Sequence, residues 1–195
     1  MEATTAAEAT TATSPKLPSG YALHVGLPQV PTYRHMRIAA GLTSVTEAQA
    51  SRAISGTWYG CHIRYAAPQQ QQQQQQQPAD TTADQVVGMG RIISDGGWYF
   101  HIADMAVLPD HQRRGLGAAI MRELLAYIER NRPDEGTPYI NLLADPPGIG
   151  LYKKTGFVDS SNLCEHGMVW VGGSYKGAHG FVNAGEDADK RDGGS

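Results

Sequence analysis

The run from Asp104 to Ala118 reads Asp-Met-Ala-Val-Leu-Pro-Asp-His-Gln-Arg-Arg-Gly-Leu-Gly-Ala, a strand-like stretch, a tight turn and the opening of a helix. Gly115 and Gly117 let the backbone approach a ligand closely, and the first turn of a helix carries N–H groups without an intrahelical acceptor. With the helix dipole behind them, those donors suit an anion, above all a phosphate or diphosphate. Arg113 and Arg114 add positive charge at the same place, the alternative for them being a solvated helix start. A P-loop would need Gly-Lys-Ser or Gly-Lys-Thr, which is absent. A dinucleotide fingerprint would need a small residue where Ile120 stands and would lie nearer the chain start. What fits is the pattern Gln-x-x-Gly-x-Gly, Gln112 to Gly117.

Other reactive side chains form no comparable pattern. Cys61 and Cys164 are the only cysteines, so no disulfide scaffold exists, and no Cys-x-x-Cys or thiol-plus-histidine spacing suggests zinc. Cys164 lacks the partner spacing of a nucleophile. His111 reads as a loop residue. The net charge of −3 argues against a strongly basic nucleic-acid binder. No apolar stretch approaches the roughly 18 residues of a membrane-spanning helix. A soluble, intracellular protein of cytoplasmic location is the expectation, without metal, membrane or nucleic acid.

The elements that must position this stretch can be read around it. Thr32–Ile38 and Val45–Ile54 look like two short helices joined at Gly41. Trp58–Tyr65 alternates as a strand. Gln85–Ser94 and Trp98–Leu108 flank Asp95-Gly96-Gly97, which predicts an antiparallel hairpin. From Gly115 the period becomes helical, with Leu116, Ile120, Leu124, Tyr127 and Ile128 on one face and an end before Pro133. Tyr139–Ala144 reads as a short buried strand, followed by a Pro-Gly start and a short helix through Tyr152. Strands, helix and strand in that order indicate a mixed α/β sheet.

Composition bounds the body. Of 195 residues 41% are hydrophobic, with 23 glycines and 11 prolines. Residues 1–20, rich in Ala, Thr and Glu, and residues 173–195, rich in glycine and mixed charge, offer little to bury and read as disordered tails. The first of these lacks the arginines of a transit peptide and the apolar core of a secretory signal. The glutamine run 69–77, bracketed by Pro68 and Pro78, reads as an insertion at 68–84: a lengthened surface loop, or a self-association element. One domain over 21–172 remains.

Gln112 to Gly117 resembles the diphosphate-binding motif of the GNAT superfamily of N-acetyltransferases. A second stretch, Leu151-Tyr152-Lys153-Lys154-Thr155-Gly156-Phe157, is similar to that family's second signature. The strand ending Asp104-Met105-Ala106-Val107 looks like its splayed central strand. The resemblance implies a GNAT α/β fold, a mixed and mostly antiparallel sheet with that splayed strand and flanking helices, and acetyl-CoA as acetyl donor. It implies that main-chain groups of Met105, Ala106 and Val107 hold the pantetheine arm and acetyl carbonyl. Gln112, Arg113, Arg114, Gly115, Leu116, Gly117 and Ala118 would hold the diphosphate. Tyr152 would face the departing sulfur and protonate or hydrogen-bond it, unless it is an aromatic packed at a helix end. Asp145, where the family often has Asn, would also meet the cofactor, whose adenosine side the Pro- and Gly-rich, low-propensity start of the following helix would hold more loosely.

The same resemblance implies direct acetyl transfer to an amine, and a proton to remove. His101, on the central strand, is one candidate base, since histidine is the side chain suited to proton transfer at neutral pH, or a half-buried strand residue. Asp104 is the second, or a bulge residue satisfying main-chain donors; a water chain could replace both. Tyr33, Trp58, Tyr59, Trp98, Tyr99 and Trp170 supply aromatic surface, most of it core, with Glu165 and His166 within possible reach. Small primary amines, amino sugars and arylalkylamines, are the leading acceptors. A protein or peptide acceptor and a non-catalytic acetyl-CoA-binding module are the alternatives. The resemblance also allows a homodimer.

Overall fold

A computed structural model describes residues 17–67 and 85–168, with the short pairs 176–177 and 180–181. Residues 1–16 of the expected tail over 1–20, the insertion at 68–84 and Trp170 lie outside the described residues, as does most of 173–195.

Five strands form one sheet in sequential order: β1 (Tyr21–Val25), β2 (Tyr59–Tyr65), β3 (Gln85–Ser94), β4 (Tyr99–Val107) and β5 (Tyr139–Asn141). The first four are antiparallel neighbours and β5 joins β4 in parallel. Helices α1 (Val30–Ala39) and α2 (Glu47–Ser55) cross between β1 and β2, α3 (Leu116–Asn131) follows β4, and α4 (Ile149–Lys154) follows β5. A separate ribbon pairs β6 (Lys176–Gly177) with β7 (Gly180–Phe181).

The helical period of α3 is realised closely: Leu116, Ile120, Leu124 and Ile128 are buried, while Tyr127 stacks on Tyr59 with centroids 3.6 Å apart. This stripe packs with Cys61, Ile63, Ile92, Phe100 and Ile102 from the sheet in one core cluster. Burying each such large side chain contributes about 1.5–3 kcal/mol. Tyr33 and Met36 of α1 and Ala50 of α2 are buried in the same cluster. Thr46 starts α2 with a capping box, its hydroxyl accepting from Gln49 N while the Gln49 carboxamide accepts from Thr46 N.

The β3–β4 hairpin forms at the expected turn. Asp95 Oδ1 accepts from the N–H groups of Gly97, Trp98 and Tyr99, and Gly96 takes a φ of 77°. One strand is not among those expected, and one expectation differs from the structure. Strand β1 pairs along the free edge of β2. Tyr139–Ala144 gives only three strand residues, half-buried rather than buried, because the chain leaves the sheet after Asn141.

Candidate active site

The site is built where β4 stops being an ordinary strand. β4 pairs with β3 along most of its length but with β5 only at Tyr99, Phe100 and His101. Past His101 the β5-facing edge of β4, which carries the N–H of Val107, has no strand partner among the described residues, whereas the N–H and carbonyl of Ala106 turn to Met89 on β3. A buried strand edge without a neighbour is costly unless something else bonds it, which makes this gap a place for a ligand's carbonyl and amide groups. On the other edge, the register shifts between Met89–Ala106 and Arg91–Ala103, so Asp104 and Met105 face the single residue Gly90. That bulge puts Asp104 at φ 54° and increases the local twist. Gly90 is required by this packing, because a Cβ there would fall 2.6 Å from Met105 Sδ and 2.7 Å from Ile120 Cγ2.

The bulge aims Asp104 at α1. Tyr33 Oη and Arg91 Nε donate to Oδ2, and Arg37 Nη1 donates to Oδ1. Arg37 is itself held by the Thr43 carbonyl through Nε at 3.0 Å and Nη2 at 2.9 Å. The carboxylate is only 9% exposed. Burial alone would raise its pKa, but Arg91, Arg37 and the Tyr33 hydroxyl outweigh it and hold the carboxyl below its ordinary range. Tyr33 is pushed up by burial and by the Asp104 carboxylate. An ionised carboxylate with three donors on it is an anchor, and a weak acceptor for a further proton.

His101 lies farther up β4, half-buried, with Nδ1 2.6 Å from Asn141 Oδ1 across the parallel pair. With the carboxamide oxygen accepting, Nδ1 carries the proton and the Nε2 lone pair remains free, the form a general base needs.

After β4 comes a 3-10 turn, Pro109–His111, and then the glycine loop. Arg113 takes φ 61° and Gly115 φ 81°, an alternation that turns successive N–H groups into one concavity. Gly115 is the N-cap of α3 and no side chain caps it. The N–H groups of Leu116, Gly117 and Ala118 therefore begin the helix with no side-chain acceptor. Gln112 closes the loop on β4 by donating from Nε2 to the Val107 carbonyl at 3.0 Å. Arg113 and Arg114 are exposed, Arg114 reaching the Asp110 carbonyl at 3.3 Å. Nothing stands within 4 Å of a Cβ built on Gly115, so the mouth is open. These features fit a diphosphate: N–H donors without a side-chain cap, a positive helix end and two exposed guanidinium groups.

Tyr152 sits in α4, its ring against Gly148, where a Cβ would fall 2.7 Å from Tyr152 Cε2, and edge-on to Phe157 with centroids 6.2 Å apart. Burial, then the charge of Asp145, pushes its pKa up, so the phenol keeps its proton and remains a donor. It lines a cleft of about 650 Å³ together with Ile140, Asn141, Leu142, Ile149 and Glu165. No residue of 104–118 lines that cleft. Asp145 is exposed, and its carbonyl accepts from Gly148 N at 2.8 Å.

Of the aromatic residues expected near an acceptor, Tyr33 and Tyr59 are core, and Trp58 is partly buried against it. Trp98 and Tyr99 are exposed at 58% and 42% and pack with Tyr139, whose hydroxyl donates to Glu165 Oε2 at 2.5 Å. Sequence reasoning missed Arg91 as a partner of Asp104 and Asn141 as a partner of His101, since strand register, unknown in advance, makes both pairs. It also missed Arg37, four positions after Tyr33 and so on the same face of α1, as a further partner of Asp104. Among the described residues, no group of three or more His, Cys, Asp or Glu could hold a metal ion. Nor is any helix there long and apolar enough to cross a membrane.

This splayed strand and uncapped glycine loop have relatives. The profile of the acetyltransferase (GNAT) domain matches residues 42–172, and the chain belongs to that family. A protein called uncharacterized N-acetyltransferase ycf52 from Porphyra purpurea is 32% identical over 89 residues, 46% of this chain and 48% of its own length. The ycf52 protein of Pyropia yezoensis is 31% identical over 86 residues, 44% of this chain and 47% of its own. The chain thus spans about half the length of the curated relatives it matches. Among solved structures, a Staphylococcus aureus protein described as a probable acetyltransferase superposes with a TM-score of 0.63 at 27% identity, covering 77% of this chain and 98% of its own. A GNAT-family acetyltransferase from Streptococcus pneumoniae, at 21% identity, shares the fold with a TM-score of 0.58, over 78% of this chain and 98% of its own.

Proposed function

We propose that the protein is an acetyl-CoA-dependent N-acetyltransferase that moves the acetyl group directly to the primary amine of a small molecule. The observation that carries this reading is the coincidence, on one strand, of an edge left unpaired after His101 and a loop of free N–H donors at the start of α3. Acetyl-CoA, when bound, supplies an activated thioester carbonyl.

The chain's own groups have separable tasks. Main-chain groups around Met105 and Val107 hold the pantetheine arm, and the Val107 N–H, which turns away from β3, meets the negative charge that develops on the acetyl oxygen, where a preorganised main-chain donor acts with little reorganisation. Ala106 keeps this stretch in place by pairing with Met89. Gln112 through Ala118 hold the diphosphate. Tyr152 donates its phenolic proton toward the leaving sulfur. His101, through Nε2, accepts the proton of the incoming ammonium. Asp104 positions α1 and the bulge and takes no proton itself, since both its oxygens are engaged. Asp145 acts on the site through its charge on Tyr152.

For the acceptor, the exposed Trp98 and Tyr99 and the half-buried Tyr139, with the Glu165 carboxylate, favour an amine of the amino-sugar or arylalkylamine kind, an apolar face beside a cation.

Thiol release from acetyl-CoA by purified protein, read over a panel of amines, amino sugars and peptides, tests the reading. Stimulation by small amines is the expected result. Stimulation by peptides alone would move the acceptor to proteins, and acetyl-CoA binding without turnover would make the protein a binding module. Tyr152→Phe is expected to lower kcat by about 10²–10⁴-fold with unchanged thermal stability, the scale of one acid–base group.

A further inference from the structure

His111 ends the 3-10 turn immediately before Gln112. Its Nδ1 stands 2.9 Å from the Tyr21 hydroxyl. Its ring meets Tyr21 edge-on at 5.7 Å and Tyr65 at 5.0 Å. Tyr21 and Tyr65 are themselves opposite residues of the β1–β2 pair, with ring centroids 4.6 Å apart. Every other side-chain hydrogen bond found for residues 109–115, among the described residues, stays within five positions in sequence. His111 is therefore the side chain through which this turn is bonded to a distant part of the sheet.

The loop that follows needs such a tie. Arg113 and Gly115 both hold left-handed backbone, and for Arg113 that conformation costs about 1–2 kcal/mol. A segment of this kind keeps one shape only when its ends are fixed. Its far end is fixed by Leu116, buried in the core at the start of α3. The near end has Gln112 on Val107 and the three-ring grip on His111.

We infer that His111, held by Tyr21 and Tyr65, is a positioning residue that sets the affinity of the 112–118 loop for the diphosphate of acetyl-CoA, with no part in the chemical step. The inference rests on the acetyl-CoA reading above. Removing the tie leaves the donors in the sequence but lets the loop sample shapes that do not bind, so affinity falls by the fraction of time the competent shape is lost.

The test measures coenzyme A binding by calorimetry and acetyl-CoA KM and kcat by thiol release, on the full chain. The variants are His111→Ala, His111→Asn and Tyr21→Phe, each with a thermal unfolding curve. Loss of one hydrogen bond corresponds to about a three- to tenfold change. His111→Ala is expected to raise Kd and KM about tenfold, with kcat within twofold. Tyr21→Phe, which keeps the ring and removes only the hydroxyl, should raise them about threefold. His111→Asn, whose carboxamide can occupy the Nδ1 position, should recover most of the loss. Binding by His111→Ala equal to that of the wild type overturns the inference, as does a fall in kcat with KM unchanged. So does equal weakening in His111→Asn and His111→Ala. Failure of the wild-type protein to bind coenzyme A would instead overturn the acetyl-CoA reading itself.

Discussion

Two polar regions flank the same strand and are built on opposite terms. At the bulge, Asp104 is buried and bonded by Tyr33, Arg37 and Arg91. At the end of the strand, residues 112–115 are exposed, have left-handed backbone at two positions and start a helix with no side-chain cap. The first region has spent its hydrogen bonds on itself, and the second has kept them. A protein gains stability from the first kind and binding from the second, because only unsatisfied donors gain anything from a ligand. Adjacent placement lets the satisfied region hold rigid the strand from which the unsatisfied one projects.

The largest expected effect breaks the satisfied side. Asp104→Asn or Asp104→Ala leaves two arginines facing each other with no buried counter-charge and should lower stability by about 3–5 kcal/mol, read by chemical denaturation. The pH dependence has a defined sign. The folded-state pKa of Asp104 is depressed, so its contribution is complete above the unfolded carboxyl pKa of about 3.9 and is lost as pH falls through the folded value. Wild-type stability should therefore fall below about pH 4 more steeply than that of Asp104→Asn. Equal acid sensitivity would mean the carboxylate is not the anchor described here.

Those two regions were unequally legible in the sequence. The loop could be read because its chemistry is local: Gln112, two arginines and two glycines within six positions, opening a helix whose apolar stripe recurs at regular period. The Asp104 network could not, because Tyr33, Arg37 and Arg91 come from two other elements, and only the β3–β4 register and the bulge bring them together. The hairpin at Asp95–Gly97 was legible by the same local logic, and β1 was not, since an edge strand owes its existence to its neighbour. His101 was visible as a titratable residue, yet its partner Asn141 depends on a three-residue parallel pairing. Chemistry that lies along the chain is readable from the sequence, whereas chemistry assembled across strands needs the pairing.

A smaller effect tests how tightly the bulge is packed. Gly90→Ala would bring a methyl group to within 2.6 Å of Met105 Sδ and 2.7 Å of Ile120 Cγ2. Met105 can rotate away, but Ile120 is branched at Cβ and buried, so a shift of α3 or of β4 is required. A loss of about 1–3 kcal/mol is expected by overpacking, with a rise in acetyl-CoA KM because Met105 lies on the unpaired edge. Loss of stability with no change in KM would separate the bulge from the binding edge.

The smallest effect is the sharpest, because its two readouts run in opposite directions. Arg113 holds φ 61° without the freedom of glycine, so Arg113→Gly relieves about 1 kcal/mol of backbone strain, part of which returns as entropy of the more flexible unfolded chain. Thermal stability should stay level or rise by a few tenths of a kcal/mol. The same change removes a cation from the mouth of the loop, and with it a charge-assisted bond to the diphosphate, so acetyl-CoA affinity should fall several-fold and more at low than at high ionic strength. A variant that is no less stable yet binds worse is what a strained, unsatisfied loop predicts. A variant that loses stability and keeps its affinity would place Arg113 with Asp104 among the groups that hold the fold.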